Sequence, residues 1–155
     1  MEVEVSAVPV VNSASPQKWI VCTRLSLEIF GNLQSKANSR KLVTFGGKPR
    51  FIKSDKAREW WDMALMQIPQ DHRIGMTGPI RMTATIWYQS ARSDLDPSLL
   101  MDVLQAANVY TNDRNIVEQH LFKAIDKQNP RVHVIIEELC ESPVKSKAVL
   151  DHVAL

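Results

Sequence analysis

From Ile80 to Ile86 apolar and more polar side chains alternate without a break, and Trp87 and Tyr88 extend the run. A period of two sends successive side chains to opposite faces of an extended chain, so Ile80, Met82, Ala84, Ile86 and Tyr88 share one face, and Arg81, Thr83, Thr85 and Trp87 the other. Such a strand needs partners on its edges and a layer over its apolar face. Two stretches at helical spacing offer that layer. Ala57, Trp60, Trp61, Ala64, Leu65 and Ile68 follow Ser54, a good N-cap, and Asp55, which favours a first turn; Pro69 ends the run. Leu99, Leu100, Val103, Leu104 and Ala107 form the apolar stripe of a second, docked helix that starts at Pro97 or Ser98. Adjacent Trp60 and Trp61 could stack on bases, but this spacing puts at least one in the core, and neither is assigned a site.

Further strands complete the sheet. Thr23, Leu25, Leu27 and Ile29 alternate with Arg24, Ser26 and Glu28 before Gly31. Val132, Val134 and Ile136 alternate with His133, Ile135 and Glu137. Ile116 to Ile125 suits either period; the turn at Gln128-Asn129-Pro130 and the strand beyond it favour a strand and a hairpin. With 155 residues and 45% apolar content the chain supports one domain with a real core. The expected fold is α+β, a mixed β-sheet with two principal helices packed on it. Residues 1–18 lack a sustained period and are expected to form a flexible arm, 19–140 the domain, and 141–155 a frayed tail.

Charge is informative only in its distribution, since the formal net charge is +2 and the pI about 8.6. Between Glu28 and Asp55 there is no acidic residue but there are six basic ones: Lys36, Arg40, Lys41, Lys48, Arg50 and Lys53. Leu42 to Phe45, the turn Gly46-Gly47-Lys48-Pro49 and Arg50 to Lys53 suggest a β-hairpin carrying that charge. Taken alone, the run is equally a solvated, solubilising loop.

The chemistry centres on Asp94-Leu95-Asp96 and Asn112-Asp113-Arg114, on either side of the second helix. In an extended chain Asp94 and Asp96 aim both carboxylates to one side. Solvation, helix capping by Asp96, or pairing with Arg92 and Arg114 would explain them without function. Oxygen donors at this spacing also suit Mg²⁺, which needs only one or two carboxylates besides waters and phosphate oxygens.

Taken together, Asp94-Leu95-Asp96, an amphipathic helix bearing Asp102, then Asn112-Asp113-Arg114 and Lys123 resemble the RusA-type Holliday junction resolvases. The resemblance runs from about Leu25 to Leu139, and Ser35-Lys36-Ala37-Asn38-Ser39-Arg40 looks like phage-borne members. It implies a homodimer of RusA-like fold that cuts four-way DNA junctions with Mg²⁺, or with Mn²⁺ in its place. Asp94, Asp96 and Asp113 match the family's metal-site and catalytic aspartates, and Asp102 an acidic residue usual on the helix. Lys36, Asn38, Arg40, Lys41, Lys48, Arg50 and Lys53 become the DNA-binding set. The chain departs from the family pattern at Pro97, where Asn is usual, at Leu100, the counted position of a catalytic lysine, and at Asn112, where a second Asp is common. Lys123, Arg92 and Arg114 are the candidate replacement cations.

Other chemistries lack a signature. His72, His120, His133 and His152 show no ligand spacing, and there is no Ser-His-Asp pattern, Walker loop or dinucleotide fingerprint, so no nucleotide cofactor is expected. Cys22 and Cys140, far apart and in no Cys-x-x-Cys pair, argue against zinc and against a disulfide framework. With no signal peptide and no run of eighteen apolar residues, the expectation is a soluble protein with no membrane partner, in the cytoplasm of a bacterium or phage-infected cell. Two other functions stay open: a branched-DNA-binding module without activity, and a protein-interaction domain with a solvated acidic loop.

Overall fold

A computed structural model describes residues 19–36 and 40–141. The expected arm 1–18, nearly all of the expected tail and Asn38 lie outside the described residues. The chain divides into Met1–Ile20 with Glu141–Leu155, and Val21–Cys140, which holds the architecture considered below. Strands β1 (Trp19–Phe30), β4 (Ile80–Tyr88), β5 (Ile116–Ile125) and β6 (Arg131–Glu141) make a four-stranded sheet in the order β1-β6-β4-β5. Strands β2 (Arg40–Phe45) and β3 (Lys48–Lys53) form a separate two-stranded ribbon. Helices α1 (Asp55–Gln67) and α2 (Ser98–Ala106) are the two principal helices, so the α+β class and the mixed sheet hold as expected.

Strand β4 is central because it pairs parallel with β5 and antiparallel with β6. Its alternation is fully expressed: Ile80, Met82, Ala84, Ile86 and Tyr88 are buried, while Arg81, Thr83, Thr85 and Trp87 are half-buried on the other face. The buried row joins Val132, Val134 and Ile136 of β6, Ala57, Trp60 and Ala64 of α1, and Leu99, Leu100, Val103 and Leu104 of α2. Ser54 caps α1, its Oγ accepting from the Ala57 amide at 3.2 Å. The Arg73 guanidinium donates to the Leu65 and Ile68 carbonyls at the other end, satisfying acceptors that a helix terminus leaves open. Trp60 is core, and Trp61 is half-buried with Lys53 Nζ 3.3 Å from its ring centroid, which ties the ribbon's base to α1. Gly31 belongs to this packing: at φ +120° its Cα lies so near the Trp60 ring that an added Cβ would sit 3.2 Å from Cδ1.

Three expectations are corrected. Strands β5 and β6 do not form a hairpin; β4 lies between them, and Asp126 to Pro130 carries the chain past it. The turn between β2 and β3 is shorter than expected, because Phe45 pairs directly with Lys48 across Gly46 and Gly47, both at positive φ, and Pro49 sits inside β3 opposite Thr44. A two-residue turn with positive φ at both positions matches the twist of the strands it joins. Finally, Cys22 and Cys140 form a disulfide with Cα atoms 5.9 Å apart. They are distant in sequence but lie on the adjacent strands β1 and β6, so spacing alone misjudged them and the expectation of no disulfide is overturned. Among the described residues no helix is long and apolar enough to cross a membrane.

Candidate functional site

The central strand ends at Tyr88, and the chain leaves it for the Asp94-Leu95-Asp96 loop that leads into α2. Tyr88 is buried, yet its hydroxyl accepts a hydrogen bond from the Asp96 amide at 3.1 Å, which fixes the loop over the strand's end. The Asp96 carboxylate is engaged at both oxygens: Oδ1 accepts from the Ser98 amide and Oδ2 from the Lys36 amide, each at 2.9 Å. Burial by itself would raise the Asp96 pKa, but hydrogen bonds from the Ser98 side chain and backbone, the Lys36 amide and the Lys36 charge together hold it below its ordinary value. The N-cap of α2 is Pro97, which has no side-chain cap, and Asp96 instead holds the first helical amide, that of Ser98, from one residue further out. Asp94 differs: it is exposed, and its carboxylate has no hydrogen bond or ion pair among the described residues. Both charges bear on one point. Tyr88 is raised first by burial, eased by its hydrogen bond at Asp96, and raised further by the charges of Asp96 and Asp94.

Asp113 stands elsewhere. It opens a 3₁₀ turn, Asp113–Asn115, in which the Asn112 side chain accepts from the Arg114 amide, and its own amide donates to Gln105 Oε1 at 2.9 Å. Gln105 is near the C-terminus of α2, whereas Asp96 is at the N-terminus, and nine helical residues rise about 13 Å. The neighbouring carboxylate is Asp102: burial raises the Tyr110 hydroxyl well above the usual tyrosine range, and the charges of Asp113 and Asp102 add to that rise. The Tyr110 hydroxyl donates to the Met101 carbonyl at 2.7 Å and pins the returning loop against the helix. Thus Asp94 and Asp96 gather at Tyr88, and Asp102 and Asp113 at Tyr110. Among the described residues no group of three or more His, Cys, Asp or Glu is close enough to hold a metal. The Asp94–Asp96 pair alone still matches the donor chemistry of Mg²⁺, because each oxygen engaged at Asp96 keeps a second lone pair and Asp94 is open.

The sequence-nominated cations separate clearly. Lys123 of β5 lies opposite Ile86 of β4, and its Nζ donates to the Ala91 carbonyl at 3.0 Å, 6.0 Å from the Tyr88 ring centroid, which puts it beside the aspartate loop. Arg114 turns its Nε toward Asn112 instead. Leu100 is fully buried between helix and sheet, which explains why this position carries no lysine: a cation there would lose its hydration in the core. Lys36 joins the basic segment to the acidic loops, its amide on Asp96 and its Nζ 3.1 Å from Asp102. The ribbon holds Arg40, Lys41, Lys48, Arg50 and Lys53, all exposed.

Comparison with protein-family models and with curated proteins found no match to this chain.

Two supporting residues were not singled out from the sequence, Tyr88 as the loop's anchor and Gln105 as the Asp113 support, and neither was the exposure of Phe45 and Phe51 on the ribbon. Tyr88 does carry a signal, as a hydroxyl ending an otherwise apolar strand face. The phenylalanines carry none, because alternation cannot tell an apolar residue facing a core from one facing solvent.

Proposed function

We propose that the protein is a Mg²⁺-dependent, structure-selective endodeoxyribonuclease that acts as a homodimer on four-way and other branched DNA. The observation that carries this reading is the contact at Asp96, where a paired-aspartate loop at the end of the central strand is hydrogen-bonded to Lys36, the first cation of an acid-free basic segment. That backbone contact brings the basic segment beside hard oxygen donors, which supports the reading because phosphate contacts supply most sequence-independent DNA affinity. A divalent ion held by Asp94 and Asp96 would polarise the scissile phosphate and ease deprotonation of the attacking water. The chain's own groups do the rest. Tyr88 fixes the loop, Lys36 and the ribbon cations hold the strand, and Lys123 adds positive charge where the leaving oxygen develops its negative charge.

Asp113 enters through the dimer. Strand β5 is an edge of the sheet, with exposed Val117, Phe122 and Ile125 and no described strand on its outer side. Such an edge invites pairing with another chain, and a two-fold axis through it makes that pairing antiparallel. Asp113 lies just before β5, and the Asp94–Asp96 loop lies near its far end, where Lys123 reaches Ala91. Antiparallel pairing therefore carries Asp113 of the partner subunit toward the Asp94–Asp96 pair, and the two-fold symmetry suits a substrate that needs paired cuts.

The direct test incubates the protein with a synthetic four-way junction and a matched linear duplex, with Mg²⁺ or with chelator. Metal-dependent cutting of the junction is expected, and loss of cutting in Asp94→Asn. Junction binding without cleavage across several metals would instead establish a binding module without activity.

A further inference from the structure

Resting on the DNA reading above, we propose that the base of the ribbon holds a second recognition element, a recess that stacks one unpaired nucleobase on Phe51. Phe51 is 71% exposed and shares a ribbon face with its cross-strand partner Leu42, also exposed, and with the paired Arg40 and Lys53. An exposed phenylalanine costs a soluble chain the hydration of an aromatic ring, and here the ring is neither tucked against the sheet nor part of the core. It opens instead onto a recess of about 300 Å³ between the ribbon and α2, walled by Phe51, Ile52 and Leu99, with Arg40 and Lys53 at its rim. That volume lies at the small end of sites that enclose organic ligands. A single flat ring suits it and a paired duplex does not.

The occupant follows from the chemistry of the walls. An aromatic face flanked by cations is the arrangement that holds single-stranded nucleic acid, the ring taking the base and the cations the flanking phosphates. The absence of any acidic residue between Glu28 and Asp55 keeps the ribbon's approach positive. Among the described residues the one carboxylate on the wall, Asp102, is ion-paired with Lys36 at 3.1 Å, so it repels phosphate weakly while still able to accept from an exocyclic amino group. Branched DNA supplies the ligand, because bases at a branch point unpair at lower cost than bases within a duplex. Lys36 also links this recess to the Asp96 loop, so a base held here would set the register of the strand against the aspartates. Phe51 is thus a specificity element distinct from the phosphate-binding cations.

Three linear DNAs test it in chelator, so that no strand is cut: a perfect duplex, the same duplex with one unpaired bulged base, and that bulge with its base removed to leave an abasic sugar. Wild-type protein is expected to bind the bulged base on the order of tenfold more tightly than the abasic bulge. Phe51→Ala should erase that difference while leaving duplex affinity unchanged, Phe51→Trp should keep it, and Phe45→Ala, on the opposite ribbon face, should keep it too. A wild-type protein that binds duplex but ignores the base overturns the inference and leaves the DNA reading standing, as does a Phe51→Ala variant that retains the discrimination. Equal loss from Phe45→Ala overturns the assignment to this recess. If the wild-type chain binds none of the three DNAs nor the four-way junction, the DNA reading falls and this inference with it.

Discussion

Asp94 and Asp96 are two residues apart and chemically identical, yet their surroundings divide the labour between them. Asp96 satisfies two backbone donors, one at the start of α2 and one from the basic segment, so removing its carboxylate orphans both. Asp96→Ala should lower unfolding free energy by about 1–2 kcal/mol in denaturant titration. Asp94 has no such duty, and Asp94→Ala should stay within about 0.5 kcal/mol of wild type while abolishing cutting. The pH dependence sharpens the contrast. The folded protein holds Asp96 below its ordinary value of 3.8, so its contribution is present above the unfolded pKa and lost as pH falls through the folded one. The stability gap between wild type and Asp96→Asn should therefore be full above about pH 5 and shrink below about pH 3. A gap that grew in acid would sink this assignment. The aspartates themselves were legible in the sequence, because Asp-x-Asp after a clear strand has few simple readings. Their different partners were not: the Lys36 amide comes from sixty residues away, and no local pattern announces it.

The ribbon and the edge strand show how far periodicity carries at the level of elements. Alternation and the paired glycines identified the β2–β3 ribbon, with Pro49 misplaced by the assumption of a longer turn. Both helices were legible because each has a clean apolar stripe and a start signal. The β5–β6 connection was misread because sequence neighbours are usually sheet neighbours; here β5 instead takes a parallel place beside β4 after the α2 crossover, and β6 pairs on the other side of β4. The DNA-binding role proposed for the ribbon makes a prediction of its own. Lys48 and Arg50 are exposed, so replacing both with alanine should leave the folded state unchanged within about 0.5 kcal/mol. Each lost phosphate contact lowers the dependence of log affinity on log salt by about 0.9, so the double variant should bind junction and duplex more weakly alike, with a slope shallower by roughly 2. An unchanged slope, measured by anisotropy across a salt series, would remove the ribbon from the DNA interface.

At the scale of the whole molecule, chemistry and distance pull against each other. Three carboxylates are nominated for one site, and the fold puts the third at the opposite end of α2 from the other two, held there by Gln105. A loop rearrangement within one chain would have to break that hydrogen bond and unpin Tyr110 from Met101. The proposed pairing of two copies along β5 would leave both hydrogen bonds in place and would cover the exposed Val117, Phe122 and Ile125. The separation was legible in the sequence, because a helix of about eleven residues between Asp96 and Asp113 rises about 16 Å and a dimer is one way to close that distance; which subunit's site Asp113 serves was not. The arrangement makes a demand that a self-contained site does not. On the proposed function, Asp94→Asn and Asp113→Asn should each be inactive as pure dimers, because every site then lacks one carboxylate. After the two variants are mixed and allowed to exchange subunits, a mixed dimer contains one site with Asp94 from one copy and Asp113 from the other, both intact, and a second site with neither. The mixture should recover nicking of one strand of the junction but not the paired incision of wild type. A mixture as inactive as its components, once exchange is verified by a size tag on one copy, would return Asp113 to its own chain; a wild-type protein that sediments as a monomer at micromolar concentration would remove the partner altogether.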